Sequence, residues 1–92
     1  MKAIRKKTGC APEVIEVENT LKALQDEVGG YIEIVTLASD AVVICNEEGC
    51  IIGLPDNGRV CGVDVVGTVL VVGVNGPEFC DVPAFMRVVQ HD

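Results

Sequence analysis

The sequence is poor in aromatic residues and in histidine. Its 92 residues include no Trp, one Tyr, two Phe and a single His, His91. Proteins that bind single-stranded nucleic acid stack bases on aromatic side chains. Nucleophilic catalysis by Ser or Cys commonly needs a nearby base such as His. These absences disfavour nucleic-acid binding, and they leave no His placed to activate a Ser or Cys.

Positive charge is scarce beyond the first seven residues. The net charge is -7, and four of the seven basic residues are Lys2, Arg5, Lys6 and Lys7. Binding to a nucleic-acid backbone requires clustered Lys and Arg, which the rest of the chain lacks. The basic segment is interpreted as a charged edge strand. The acidic remainder either solvates the protein or imitates a polyanion that enters a basic cleft of a partner.

The cysteines lack the spacing of a disulfide scaffold or a zinc site. Their number is odd and no CxxC pair occurs. Reduced, mostly buried thiols are expected, with no metal and no cofactor. A disulfide between Cys45 and Cys50, or an adventitious metal site there, stays open as an alternative. Cys61, close to Arg59, is a weak candidate for thiolate chemistry. The five cysteines are Cys10, Cys45, Cys50, Cys61 and Cys80.

No apolar run reaches the length of a membrane span. The longest, Val65 to Val74, is interrupted by Gly67, Thr68 and Gly73, whereas a span needs about 20 residues. The basic start is not followed by the apolar stretch of a secretory signal. We expect a cytoplasmic protein with a single α+β domain over residues 1–92. Its composition is 49% hydrophobic, and so much aliphatic surface in a small chain favours a homo-oligomer.

Apolar runs separated by polar turns predict most of the strands. The runs 41–45 and 50–54, joined by Asn46 to Gly49, predict a hairpin with Gly49 at positive φ. The segment from Leu54 to Gly58 predicts a second reversal. The run 65–74, in which only Thr68 is polar, predicts a central strand that is covered on both faces.

The expected fold is a small mixed sheet of five to six strands with a crossover helix at about 20–28 and a short C-terminal helix at about 83–91. Asn19 is the predicted N-cap of the first helix, and Gly29-Gly30 ends it. The 13 residues between Val17 and Tyr31 are enough for a crossover between parallel strands. Asn75-Gly76 predicts a hairpin that leads to an edge strand at 78–82.

Polar turns supply the candidate site residues. Asn57, Arg59 and Asp64 would bind a small anionic or nucleotide-like ligand if they converge, with the guanidinium contacting phosphate or carboxylate. The alternative is a turn-forming Asn beside surface charges. The remaining candidates are exposed turn residues suited to an interaction surface, namely Asn46, Glu47, Glu48 and Asp56. Adjacent carboxylates such as Glu47 and Glu48 need not point together, so they are weak evidence for acid–base catalysis.

The order of these motifs resembles a known family. Asn19-Thr20-Leu21, Gly29 to Glu33, Asn46 to Gly49, Gly53 to Asn57 and Gly67-Thr68 occur in an order similar to that of a small bacterial and phage family catalogued as domain of unknown function 3846. The chain departs from that pattern in the short segment 58–64. The resemblance implies an intracellular protein often encoded near phage or mobile-element genes, and it carries no catalytic residues over to this chain.

Two functional hypotheses follow. The first is a non-enzymatic protein of phage or mobile-element type that binds or inhibits another protein, conceivably a host protein, through acidic surface and exposed turns. The second is a small-ligand binding protein with a pocket near Asn57, Arg59 and Asp64.

Overall fold

Six of the strands form one antiparallel sheet. A computed structural model describes residues 1–87. The strands are β1 (Lys2–Lys6), β2 (Glu13–Glu16), β3 (Ile32–Ala38), β4 (Ala41–Asn46), β5 (Asp56–Val60), β6 (Val63–Val66), β7 (Val69–Asn75) and β8 (Glu78–Cys80). The main sheet has the order β2-β1-β7-β4-β3. β1 and β8 lie on the same side of β7, where β1 pairs with its first half and β8 with its second half. The α+β class is confirmed.

The strands on either side of the helix do not pair with each other, and the main sheet is antiparallel and not mixed. β2 and β3 lie at opposite edges of the sheet, and the strand pairs of residues 1–87 are all antiparallel. A crossover connection does exist, because successive antiparallel pairings leave β2 and β3 pointing the same way. It carries helix α1 (Leu21–Val28) across one face of the whole sheet.

The predicted central strand is two strands. Its second half, β7, is central and buried from Val69 to Gly73. Its first half is β6, which pairs with β5 in a separate two-stranded sheet. The break falls at Gly67, whose φ is 67°. A Cβ there would lie 2.7 Å from Cδ1 of Leu54, so a side chain at this position would be obstructed.

The predicted hairpin between residues 41 and 54 is wrong. β4 pairs with β3 on one side and with β7 on the other, so no edge remains for a third strand. Residues 50–54 form a compact turn instead, in which Ile52 N donates to Glu48 O at 2.9 Å. Gly49 is not among the residues with positive φ.

Two apolar layers cover the sheet. On one face Leu24 and Val28 of α1 pack on Val42, Ile44, Leu70 and Val72. On the other face Val65 of β6 and Val82 pack on Ile4, Val43, Val69 and Val71. The β5–β6 hairpin is therefore the counterpart of α1 on the opposite face.

Helix α1 is bounded by local signals. Thr20, not the predicted Asn19, is the N-cap, and its Oγ1 accepts a hydrogen bond from Ala23 N at 3.2 Å. The side chain of Asn19 instead donates to Phe79 O. Gly29 forms the predicted left-handed cap, with φ 79°.

The remaining terminal predictions have mixed outcomes. β1 is an interior strand and not an edge, since Ala3 and Ile4 are buried between its two neighbours. The β7–β8 hairpin around Asn75-Gly76 is confirmed.

A 3-10 helix spans Ala84–Arg87, and the rest of the predicted C-terminal helix lies outside the described residues. Within residues 1–87 no helix has the length and hydropathy to cross a bilayer.

Candidate functional site

The trio Asn57, Arg59 and Asp64 belongs to the β5–β6 hairpin. The hairpin turns at Cys61-Gly62, where both residues have positive φ, at 48° and 83°. A two-residue turn of this kind matches the twist of antiparallel strands. Arg59 and Asp64 are cross-strand partners in the register.

Asn57 is a structural residue that joins the hairpin to the main sheet. It is 3% exposed. Its Nδ2 donates to Lys6 O at 2.9 Å and to Gly67 O at 2.7 Å. Its Oδ1 accepts from Nζ of Lys6 at 2.6 Å, and its main-chain O accepts from the same ammonium at 3.0 Å.

Arg59 and Asp64 pair with each other at the surface. Nε of Arg59 lies 2.9 Å from Oδ1 of Asp64, and both side chains are largely exposed. The three residues therefore do not present a shared set of free polar groups. A ligand role for them stays a prediction.

The four turn candidates divide into one buried and three exposed residues. Asn46 is 7% exposed. Its Nδ2 donates to Val28 O at the end of α1, and its Oδ1 accepts from Glu48 N at 2.8 Å. Glu47, Glu48 and Asp56 are exposed. Asn46 therefore shapes the loop, and the exposed carboxylates are left for interactions.

The cysteines are free but not mostly buried. Cys10, Cys50 and Cys61 are exposed, and Cys45 and Cys80 are intermediate. Burial raises the pKa of the Cys45 thiol, with smaller contributions from Glu33 and Cys50. Such a thiol is a weak nucleophile at neutral pH, because the reactive species is the thiolate.

The open outer edge of strand β3 is the feature that sequence reasoning missed, although the strand itself is predicted over Tyr31 to Leu37. It pairs with β4 alone among the described residues, so its outer backbone edge is open. Its register is regular from Ile32 to Thr36 and shifts only after that. Ile34 is 49% exposed although it faces the α1 side, as its partner Ile44 does. Glu33 is its only charged residue, and this was the available signal of an unprotected edge.

The opposite edge of the sheet is protected. β2 has four residues, and charged residues stand at both of its ends. Glu13 binds Arg5 at 2.7 Å, and Glu16 binds Lys2 at 2.8 Å. Charged side chains along a short edge strand discourage further pairing. Of the two edges, β3 is the one suited to accept another strand.

Four acidic residues lie around the open edge. Glu33 lies on β3, and Asp40 follows it in the turn to β4. Glu47 and Glu48 lie at the other end of β3, where Glu47 N donates to Tyr31 O at 2.8 Å. None of these four forms a salt bridge within residues 1–87. The β3 edge is therefore acidic as well as open.

A groove of about 440 Å³ lies at the start of β3. Its walls come from the end of α1, the residues before β3 and the turn after β4. Tyr31 and Ile52 are 68% and 57% exposed. The lining residues are Gln25, Asp26, Gly29, Gly30, Tyr31, Asn46, Glu48 and Ile52.

Comparison with known proteins gives a family and no activity. Neither the curated proteins nor the solved structures contain a significant match to the chain. One family profile, described as "Domain of unknown function (DUF3846)", matches residues 1–91. The match spans the sheet, α1 and the β5–β6 hairpin, and it is to the family that the sequence resembles. The chain belongs to the DUF3846 family.

Proposed function

We propose that this chain is a non-enzymatic protein-binding module that pairs β3 with an extended segment of a basic partner protein. In the phage or mobile-element setting, a host protein is the expected partner and its inhibition the expected effect. The observation that supports the proposal is the contrast between the two sheet edges: β2 is short and charged, and β3 is longer and open.

Main-chain hydrogen bonds would supply much of the affinity. An extended peptide that joins a sheet edge satisfies the outward-facing N–H and C=O groups, and its alternate side chains contact the two faces. On β3 the side chains next to the peptide would be Ile34 on the face that carries α1 and Val35 on the face that carries the β5–β6 hairpin. Val35 packs against the core layer on that second face. Both favour β-branched side chains on the partner.

Charge decides between the possible occupants. Four carboxylates at the β3 edge have no ion-pair partner within residues 1–87, so they attract a segment that carries Lys or Arg and repel like charge. A second copy of this chain would bring its own acidic edge to the interface. A basic partner is thus favoured over the homo-oligomer expected from composition.

The test uses an acetylated and amidated octapeptide of alternating Lys and Val, with a Glu–Val octapeptide as the charge control. Amide hydrogen exchange should slow in residues 32–36 when the Lys–Val peptide is added. The Glu–Val peptide should give no protection, because it meets the same acidic edge.

Matched variants locate the binding edge. Ile34→Lys adds a cation to β3, and Val14→Lys makes the same change on β2 at a residue of similar exposure, 45% against 49%. Binding should weaken about tenfold or more in Ile34→Lys and stay within about twofold in Val14→Lys. Equal weakening in both variants, no protection of β3, or a dimer seen by sedimentation that Ile34→Lys dissociates would contradict the proposal.

A further inference from the structure

The groove at the start of β3 is lined by negative groups. Asp26 and Glu48 contribute carboxylates. Helix α1 ends there, and the C-terminal end of a helix carries partial negative charge. The last turn of α1 contains no basic residue that would offset this charge. The polarity of the groove suits a cation.

Lys22 binds one of these two carboxylates, and it does not line the groove. It pairs with Asp26 at 3.1 Å, with both side chains largely exposed. Exposed pairs at this helical spacing contribute little. Glu48 has no ion-pair partner in residues 1–87, so it is the carboxylate available to an incoming cation.

The walls of the groove suit a long side chain with a charged end. Tyr31 and Ile52 are both exposed large apolar side chains. An aliphatic stem can lie on such a surface while its charged head reaches a carboxylate. An aromatic ring adds attraction for a cation placed over its face. A guanidinium group suits the Tyr31 ring and the Glu48 carboxylate better than an ammonium group, because it stacks on rings and binds carboxylates in bidentate fashion.

The geometry points to this groove as the binding site for an arginine side chain of the strand that pairs with β3. The inference rests on the proposed function and adds a specificity to it. Tyr31 directly precedes β3, so the arginine belongs at the end of the partner strand that lies beside Ile32. The volume of about 440 Å³ is within the range of small-ligand pockets.

The experiment extends the Lys–Val octapeptide by one residue at either end. The added residue is arginine or its neutral isostere citrulline, and affinity is measured by calorimetry. At one of the two ends, arginine should bind about tenfold more tightly than citrulline, as expected for a charge-assisted pair. Equal affinity of the arginine and citrulline peptides at both ends would overturn the inference.

Variants at two adjacent residues test whether the groove itself, and not the overall negative charge of this region, causes the preference for arginine. Glu48→Gln should abolish the preference for arginine. Glu47→Gln removes the same charge from the neighbouring exposed residue, which does not line the groove, and should preserve the preference. Equal loss in both variants would overturn the assignment to the groove. Failure of the parent octapeptide to bind would instead overturn the proposed function, so the two failures are distinguishable.

Discussion

Asn57, which the sequence predicts to be a turn-forming residue, instead joins the β5–β6 hairpin to the main sheet. Its side chain satisfies the carbonyls of Lys6 and Gly67 and contacts the Lys6 ammonium. Asn57→Ala should lower the free energy of unfolding by about 2–4 kcal/mol, because it leaves buried polar groups without partners. Urea unfolding measures the change.

Arg59→Ala is the matched control in the same hairpin. Its pair with Asp64 is exposed, so the loss should stay below about 1 kcal/mol. If Asn57→Ala costs no more than Arg59→Ala, the structural role assigned to Asn57 is wrong.

Cys45 should be the slowest to react when compared with the exposed cysteines. Burial and the Glu33 carboxylate raise its pKa, which lowers its thiolate fraction near pH 8. Iodoacetamide labelling followed by peptide mass spectrometry should show Cys10, Cys50 and Cys61 modified before Cys45. Faster labelling of Cys45 would mean that the β3–β4 edge opens readily.

The same raised pKa links Cys45 to stability at high pH. A folded-state pKa above the unfolded value of about 9 stabilises the fold while the thiol is protonated. That contribution is lost as the pH rises through the folded value.

At the scale of elements, β7 and β8 approach so closely that only glycine fits at one position. A Cβ on Gly73 would overlap the main-chain O of Asp81 and lie 2.9 Å from Sγ of Cys80. Gly73→Ala should therefore destabilise the protein by about 2–4 kcal/mol, since the backbone must shift. Thermal unfolding measures the loss.

Gly9→Ala separates crowding from backbone strain. Gly9 has φ 74° and open space where a Cβ would lie, so its cost should be limited to about 1 kcal/mol of left-handed strain. If Gly73→Ala is as mild as Gly9→Ala, β8 is not held against β7 as described.

The elements that sequence predicts well are those with local causes. Helix α1 was predicted within one residue, because an apolar stripe and the Gly29 cap lie within ten residues of chain. The β7–β8 hairpin follows from Asn75-Gly76 for the same reason. The predicted cap at Asn19 failed by one position, since the adjacent Thr20 offers an equally suitable oxygen.

The pairing of strands that are distant in the chain could not be predicted from the sequence. Residues 41–45 and 50–54 are both short apolar runs, and only the occupation of both edges of β4 excludes their pairing. The connection from β2 to β3 has the length of a crossover, but length does not tell how many strands it crosses. The bonds of Asn57 reach Lys6, 51 residues away, so no local pattern marks them.

For the whole molecule, acid should weaken the fold through the β1–β2 edge. Hydrogen bonds from Arg5 lower the pKa of Glu13, and Lys2 does the same for Glu16. A folded pKa below the unfolded value, near 4.5, stabilises the fold above that pH. The contribution is lost as the pH falls through the folded values.

The double variant Glu13→Gln with Glu16→Gln isolates this effect. Its urea midpoint at pH 7 should be lower than that of the wild type, and the difference should shrink at pH 3. A difference that is unchanged between the two pH values would show that these ion pairs do not contribute to acid sensitivity.

The position of β7 between β1 and β4 has a consequence for folding during synthesis of the chain. β1–β2 and β3–β4 are local hairpins, and among the strands of residues 1–87 it is β7 that pairs with both of them. Val82 N donates to Lys2 O at 2.9 Å. On the ribosome, the two hairpins emerge before the strand that joins them, so neither can complete its pairing in the main sheet until β7 follows. Emergence of residues 69–82 from the ribosome is thus the point at which the main sheet can be completed.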